Sequence, residues 1–193
     1  MSKEKKLYLL SKIKEKKGFT LLELMVIIGI MVTLSLIVLP NYRQGERQFL
    51  LQREAHKLAE EIRAVQGMAI SGRECPECVP QKPDGYGIYI DVQQKEIVVY
   101  ADTNDNQFYG GGDALIRNIE LEKGVFVKQV NTPPNKVCIN FEPPDPKITM
   151  KYPKIGGGEV EFSGATIITL ALEADINQTK TIIVNTVGLI DVD

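Results

Sequence analysis

The chain has 193 residues, with 23 Lys and Arg against 25 Asp and Glu, one His, three Cys and no Trp. That length allows one domain of ordinary size, and a lone His56 leaves little material for histidine-based catalysis or a multi-ligand metal centre. Residues 1–18 hold seven Lys and two Glu, a net +5, so residues 19–193 keep 16 basic and 23 acidic side chains, a net −7, which counts against general nucleic-acid binding.

The N-terminal segment is the most informative. Lys16-Lys17-Gly18-Phe19-Thr20-Leu21-Leu22-Glu23 leads into an apolar run, and among the 21 residues from Phe19 to Leu39 only Glu23 is charged. As a helix this run spans about 32 Å, close to the roughly 30 Å hydrocarbon core of a bilayer. The lysines before it hold that end in the cytoplasm and place the rest of the chain outside. An ordinary secretory signal has a shorter apolar region followed by a small-residue cleavage site. Here the run is followed by Pro40-Asn41-Tyr42-Arg43-Gln44, with no A-x-A pattern. A plain uncleaved anchor accounts for the length and the lysines, but not for the Gly-Phe junction or for Glu23. An acid within a membrane helix is costly and functional by default; the bland alternative is that Glu23 sits near the interface, helped by the helix N-terminus.

The order of basic leader, Gly18, Phe19, apolar helix and Glu23 resembles the class III signal of type IV prepilins and pseudopilins. The resemblance implies that a prepilin peptidase cuts between Gly18 and Phe19 and methylates the new N-terminal Phe19. It also implies that Glu23 guides assembly by pairing with the Phe19 amine of a neighbouring subunit. The partners so implied are the peptidase, other pilins or pseudopilins packed through the N-terminal helix, an inner-membrane assembly platform, and the membrane itself before assembly. The implied location is a single-pass inner-membrane protein with its head outside, then a pilus or pseudopilus.

From Tyr42 to about Ser71, the residues Leu51, Ala55, Leu58, Ile62, Val65 and Ala69 recur at alternating spacings of four and three. That is an apolar seam on one face of a helix. Glu46, Arg47, Arg53, Glu60 and Arg63 lie off the seam, as does His56, which reads as a partly solvated residue. Pro40 is expected to interrupt and bend the long helix.

After Gly72 short runs rich in Val, Ile, Tyr and Phe are separated by Gly, Pro, Asn and Asp, the texture of an antiparallel β domain. The expected strands are Gly87–Val92, Ile97–Ala101, Leu115–Leu121, Val125–Val130, Lys136–Phe141, Lys147–Tyr152, Val160–Phe162, Thr166–Leu172, Lys180–Asn185 and Leu189–Val192. Breaks are expected at Thr132-Pro133-Pro134, Pro143-Pro144-Asp145-Pro146 and Gly156-Gly157-Gly158. The expected fold is α+β and pilin-like. Its parts are a leader (1–18), a membrane helix (19–40), an amphipathic continuation (41–71) and a β-rich head (72–193).

Three features of the head carry more specific expectations. The helix ending Arg63-Ala64-Val65-Gln66-Gly67-Met68-Ala69-Ile70 is followed by a Tyr-Gly-Ile-Tyr strand and by Tyr100-Ala101-Asp102-Thr103-Asn104-Asp105-Asn106, and the chain ends in a Thr-Val-Gly segment. This succession resembles the GspH/FimT pseudopilins, minor components of type II secretion and type IV pilus systems. Some of that group bind DNA through basic residues after the C-terminal Gly, whereas here Gly188-Leu189-Ile190-Asp191-Val192-Asp193 has none.

Asp102, Asn104, Asn106 and Asp113 stand at positions 1, 3, 5 and 12 of a calcium-loop pattern. Gln107 replaces the expected Gly, and Asp113 replaces the closing Glu. Ca²⁺ binding and a polar turn that satisfies its own backbone are both open readings. Cys75-Pro76-Glu77-Cys78 is a single CxxC, and outside the cytoplasm a structural disulfide is its natural use. Cys138 bonded to Cys75 or Cys78 is the favoured pairing, with a local Cys75–Cys78 bridge as its rival.

The leading functional reading is a non-enzymatic minor pilin or pseudopilin, acting in initiation or at the fibre tip. A major pilin, or a membrane-anchored binding or adhesion module using the Asp102 loop, is the alternative. No nucleophile–base pair emerges to support an anchored enzyme.

Overall fold

The computed structural model describes residues 18–79, 82–143, 147–154 and 156–193. The leader call on residues 1–17 and most of the Pro143–Pro146 break lie outside them. The chain divides into two compact units at Gly45 and Glu46, and one α-helix, α1 (Leu21–Ile70), contributes to both. Helical assignment continues through Pro40, so the proline does not end the element.

In the first unit, Thr20 caps the helix. Its Oγ1 accepts the Glu23 backbone N–H at 3.2 Å and its carbonyl accepts the Leu24 N–H at 3.1 Å, while Glu23 lies in the first turn. Within the apolar run the hydroxyls of Thr33 and Ser35 donate to the carbonyls of Ile30 (2.9 Å) and Met31 (2.8 Å). Folding these hydroxyls back on the helix removes the need for outside partners in an apolar surrounding. Leu21–Val38 is long and apolar enough to cross a membrane, and its side chains are exposed in the isolated chain.

The second unit, Glu46–Asp193, contains the core. The seam residues Leu51, Ala55, Leu58, Ile62, Val65 and Ala69 are all buried, while His56 is exposed. Fully burying a Leu, Ile or Val contributes about 1.5–3 kcal/mol each, so this face fixes the helix against the strands. Gly72, with a φ of 55°, ends α1 in a left-handed turn. Around it the Arg73 N–H reaches the Met68 carbonyl and the Gly72 N–H reaches the Ala69 carbonyl. This pair of bonds is the Schellman closure, which glycine favours because a Cβ is penalised in that conformation.

Ten strands follow: β1 (Gly85–Asp91), β2 (Glu96–Asp102), β3 (Ala114–Asn118), β4 (Val125–Val130), β5 (Lys136–Glu142), β6 (Lys147–Pro153), β7 (Glu159–Glu161), β8 (Thr166–Leu172), β9 (Asp175–Val184) and β10 (Ile190–Val192). They form two antiparallel sheets, ordered β3-β2-β1-β5-β6-β7 and β10-β9-β8-β4. Alternate residues of both sheets, among them Ile88, Ile90, Val99, Ile139, Phe141, Ile168, Leu170 and Ile182, join the helix seam in one apolar cluster. The architecture is the α+β, pilin-like arrangement expected from the sequence. At the Gly156-Gly157-Gly158 break all three glycines have positive φ.

The helix is also clamped through polar groups. Glu54 is 2% exposed, and its Oε2 accepts the Glu122 backbone N–H at 3.1 Å and the Lys57 ammonium at 3.3 Å. Lys57 also donates to the Glu120 carbonyl at 2.9 Å, and Arg53 pairs with Glu122. Arg63 donates to the Ile190 carbonyl at 2.7 Å. These bonds tie the helix to the segment before β4 and to β10.

Candidate functional site

The residues expected to take part in processing lie in the first unit. Gly18 and Phe19 precede the helix and are exposed, Phe19 at 75%. Glu23 occupies the third helical position after Thr20, where a carboxylate faces the positive end of the helix dipole. Thr20 followed three residues later by Glu23 is also the sequence of a capping box. The geometry therefore gives Glu23 a local role at the helix start besides any role between subunits.

The Asp102–Asp113 loop follows β2. β2 and β5 present Val99 and Ala101, and Val137, Ile139 and Phe141, to the apolar core. By strand alternation, Tyr100, Asp102, Cys138 and Asn140 face the other side of the sheet. The loop contributes Tyr109 to an aromatic cluster there, its ring 5.2 Å from Tyr100 and 5.3 Å from Tyr89 between centroids. Burial pushes the Tyr89 and Tyr100 phenols well above their ordinary range.

The loop oxygens are engaged with the loop itself. Asp102 is fully buried; its carboxylate accepts the N–H groups of Asn104 (3.3 Å), Asn106 (3.3 Å) and Gln107 (2.8 Å) and the Asn140 amide (3.1 Å). Asn104 Oδ1 accepts the Asn106 N–H, and Asn106 Oδ1 accepts the Phe108 N–H. Asp113 accepts the N–H groups of Gly110 and Thr103, and burial raises its carboxyl above the usual range. Lys151 already brings a cation to the loop, donating to the Asn106 carbonyl at 2.6 Å and to Gln107 Oε1 at 2.9 Å. The four residues thus share one loop, and this arrangement is that of a self-satisfied polar turn. Among the described residues, no group of three or more His, Cys, Asp or Glu is placed to hold a metal ion.

The cysteines require a correction. Cys75 is bonded to Cys78, and Cys138 is a free, buried thiol, so the favoured pairing through Cys138 does not occur. Strand parity explains the outcome. Cys75 and Cys78 belong to the apolar core cluster, while Cys138 lies between the core-facing Val137 and Ile139 and points to the opposite face. There Cys138 Sγ accepts the Tyr109 N–H at 3.4 Å, and burial pushes its thiol pKa up to about 12. The alternation in Val137-Cys138-Ile139-Asn140-Phe141 was the available signal.

Sequence reasoning also missed the buried charge at Asp91. The Asp91 side chain is fully shielded and lies 2.7 Å from Lys136 Nζ. Its Oδ1 accepts the N–H groups of Gln93 (2.9 Å) and Gln94 (3.2 Å), shaping the β1–β2 turn.

Residues 13–39 match the family described as the prokaryotic N-terminal methylation motif. No curated protein and no solved structure matches the chain. A prepilin-type methylation motif directly joined to an apolar helix supports the type IV pilin-like class, as a substrate of prepilin peptidase anchored in a membrane.

Proposed function

We propose that this chain is a minor pilin or pseudopilin of the GspH/FimT kind, assembled through its N-terminal helix into a type IV pilus or a type II secretion pseudopilus. The observation that carries the reading is the methylation-motif match over residues 13–39, which brackets the Gly18–Phe19 junction and Glu23. Cleavage after Gly18 removes the +5 leader and leaves an α-amino group four residues before Glu23, on a helix whose surface from Leu21 to Val38 is almost wholly apolar. Packed beside other such helices, that surface leaves lipid for a helical bundle, and a carboxylate in low dielectric gains strongly from a neighbouring ammonium. The head, net acidic and held to α1 by the seam and the Glu54 clamp, is the part displayed outside the cytoplasm.

The test is quantitative mass spectrometry of fibres sheared from cells, reading the abundance of the protein and its N-terminal peptide. A trace amount beginning at methylated Phe19 is the expected result. A dominant amount makes it the major pilin. Recovery only in membranes with residues 1–18 intact overturns the reading and leaves an anchored binding module.

A further inference from the structure

The β8–β9 hairpin carries a feature outside the N-terminal helix through which assembly is proposed. In the ladder Leu172 faces Asp175, yet Ala171 faces Thr179. One step on β8 therefore matches four on β9, and Ile176, Asn177 and Gln178 stand out of the sheet as a three-residue bulge. Bulges are built features that re-aim side chains. Here Asp175 holds the bulge, its Oδ1 accepting the Asn177 N–H at 3.1 Å and its Oδ2 accepting the Gln178 amide at 3.1 Å. Lys128 braces it from β4 by donating to the Ile176 carbonyl at 2.9 Å.

Asn177 and Thr179 are exposed, and the Asn177 side-chain amide makes no hydrogen bond among the described residues. Asn177-Gln178-Thr179 is also the only Asn-x-Ser/Thr triplet with a non-proline centre in the chain. Beside the bulge lies a groove of about 370 Å³ lined by Gln48, Gln52, Asn177, Gln178, Thr179 and Lys180, with Leu51 beneath. Amides and a hydroxyl suit a neutral ligand bearing many hydroxyls.

We propose that Asn177 is an N-glycosylation acceptor and that the groove seats the first sugar. The proposal rests on the reading above that the head lies outside the cytoplasm, where the donor is an oligosaccharide carried on a polyprenyl diphosphate. Asn177 Nδ2 forms a bond to the anomeric carbon of the reducing-end sugar, and the bond from that carbon to the diphosphate oxygen breaks. The amide proton passes to a base of the transferase, and polyprenyl diphosphate leaves. No oxidant or reductant takes part. An exposed, protruding acceptor is needed because a transferase must reach the amide from outside the fold.

The experiment is mass spectrometry of the full chain from its native host, reading peptide 155–180 and the N-terminal peptide in one sample. The expected result is a glycan mass localised to Asn177 on a chain beginning at Phe19. Asn177→Gln and Thr179→Ala should abolish the added mass, and Thr179→Ser should retain it. A chain beginning at Phe19 with Asn177 bare throughout, or glycan surviving in Asn177→Gln, overturns the glycosylation proposal alone. An intact leader overturns the processing reading, and the state of Asn177 is then judged separately from the same digest.

Discussion

Tyr100 folds its ring over Gly87: the two are direct cross-strand partners in β1 and β2, and a Cβ added to Gly87 would fall 2.4 Å from the ring carbon Cζ. The glycine in the Tyr-Gly-Ile-Tyr strand is thus required by close approach, since an aromatic ring fills the space over it. Gly87→Ala must displace Tyr100, which is wholly buried and packed at a tilt against Tyr109. Overpacking of this kind costs about 1–3 kcal/mol. Chemical denaturation of the detergent-solubilised chain should show a loss in that range; an unchanged midpoint would mean that the ring is not seated there.

Counting thiols checks the cysteine assignment. Buried Cys138, held as a neutral thiol by a pKa pushed up to about 12, should resist alkylation in the native chain. Denaturation without reductant should expose one reactive thiol, on the peptide containing Cys138, and reduction should add Cys75 and Cys78. Because the unfolded thiol ionises near its ordinary pKa while the folded one does not, the stability that Cys138 contributes is lost as pH rises from about 9 toward 12. Alkylation of Cys75 or Cys78 before reduction would contradict the pairing.

Most of the head was legible in the sequence because its strands are short runs rich in Val, Ile, Tyr and Phe and its breaks are rich in Gly and Pro. Val125–Val130 and Thr166–Leu172 are read at both ends, and every seam residue of the helix is buried. Where local pattern and tertiary placement part company, reading fails. β9 starts at Asp175 rather than Lys180, because Ile176, Asn177 and Gln178 bulge out and break the period of two. Glu54 looks like a solvated helix residue until Glu122 arrives from 68 positions away. Asp91 looks like a turn former, which it is, but Lys136 on the neighbouring strand makes it a buried ion pair as well.

That pair predicts a pH signature. Burial would raise the Asp91 carboxyl, but the Lys136 hydrogen bond, the turn N–H groups and the Lys136 charge more than offset it and hold the carboxyl below its usual value. A depressed folded pKa stabilises the fold above the unfolded value, and this contribution is lost as pH falls through the folded one. Lys136→Met should leave a buried, unpaired carboxylate and cost about 3 kcal/mol at neutral pH. The difference from the parent should shrink below about pH 4, where unfolded Asp protonates. A pH-independent difference would assign the loss to packing.

Asp102 offers a test of the loop. Its carboxylate is acceptor-only and takes four N–H donors, so Asp102→Asn turns one acceptor into a donor facing donors. A loss of about 2–3 kcal/mol is expected, and excess calcium should leave the parent's thermal midpoint unchanged. A calcium-dependent rise in that midpoint, abolished by Asp102→Asn, would favour the metal reading of Asp102, Asn104, Asn106 and Asp113 over the polar turn.

At Glu23 the position in the helix cap and the proposed assembly role can be separated. Thr20 Oγ1 accepts the Glu23 N–H at 3.2 Å, so Thr20 caps the helix and Glu23 stands where either Glu or Gln can complete a capping box. Glu23→Gln keeps the size and hydrogen-bonding capacity of the side chain while removing its charge. If the residue serves only the helix start, the variant should be cleaved after Gly18 and should enter fibres as the parent does. If a carboxylate must meet the Phe19 amine of a neighbouring subunit, cleavage should persist and incorporation should fall at least tenfold, a difference of about 1.4 kcal/mol or more per contact. The ratio of cleaved chain in membranes to cleaved chain in sheared fibres reads this directly. The proposed assembly role predicts accumulation in the membrane, because an amide retains the cap but gives a neighbouring ammonium no charge to pair with.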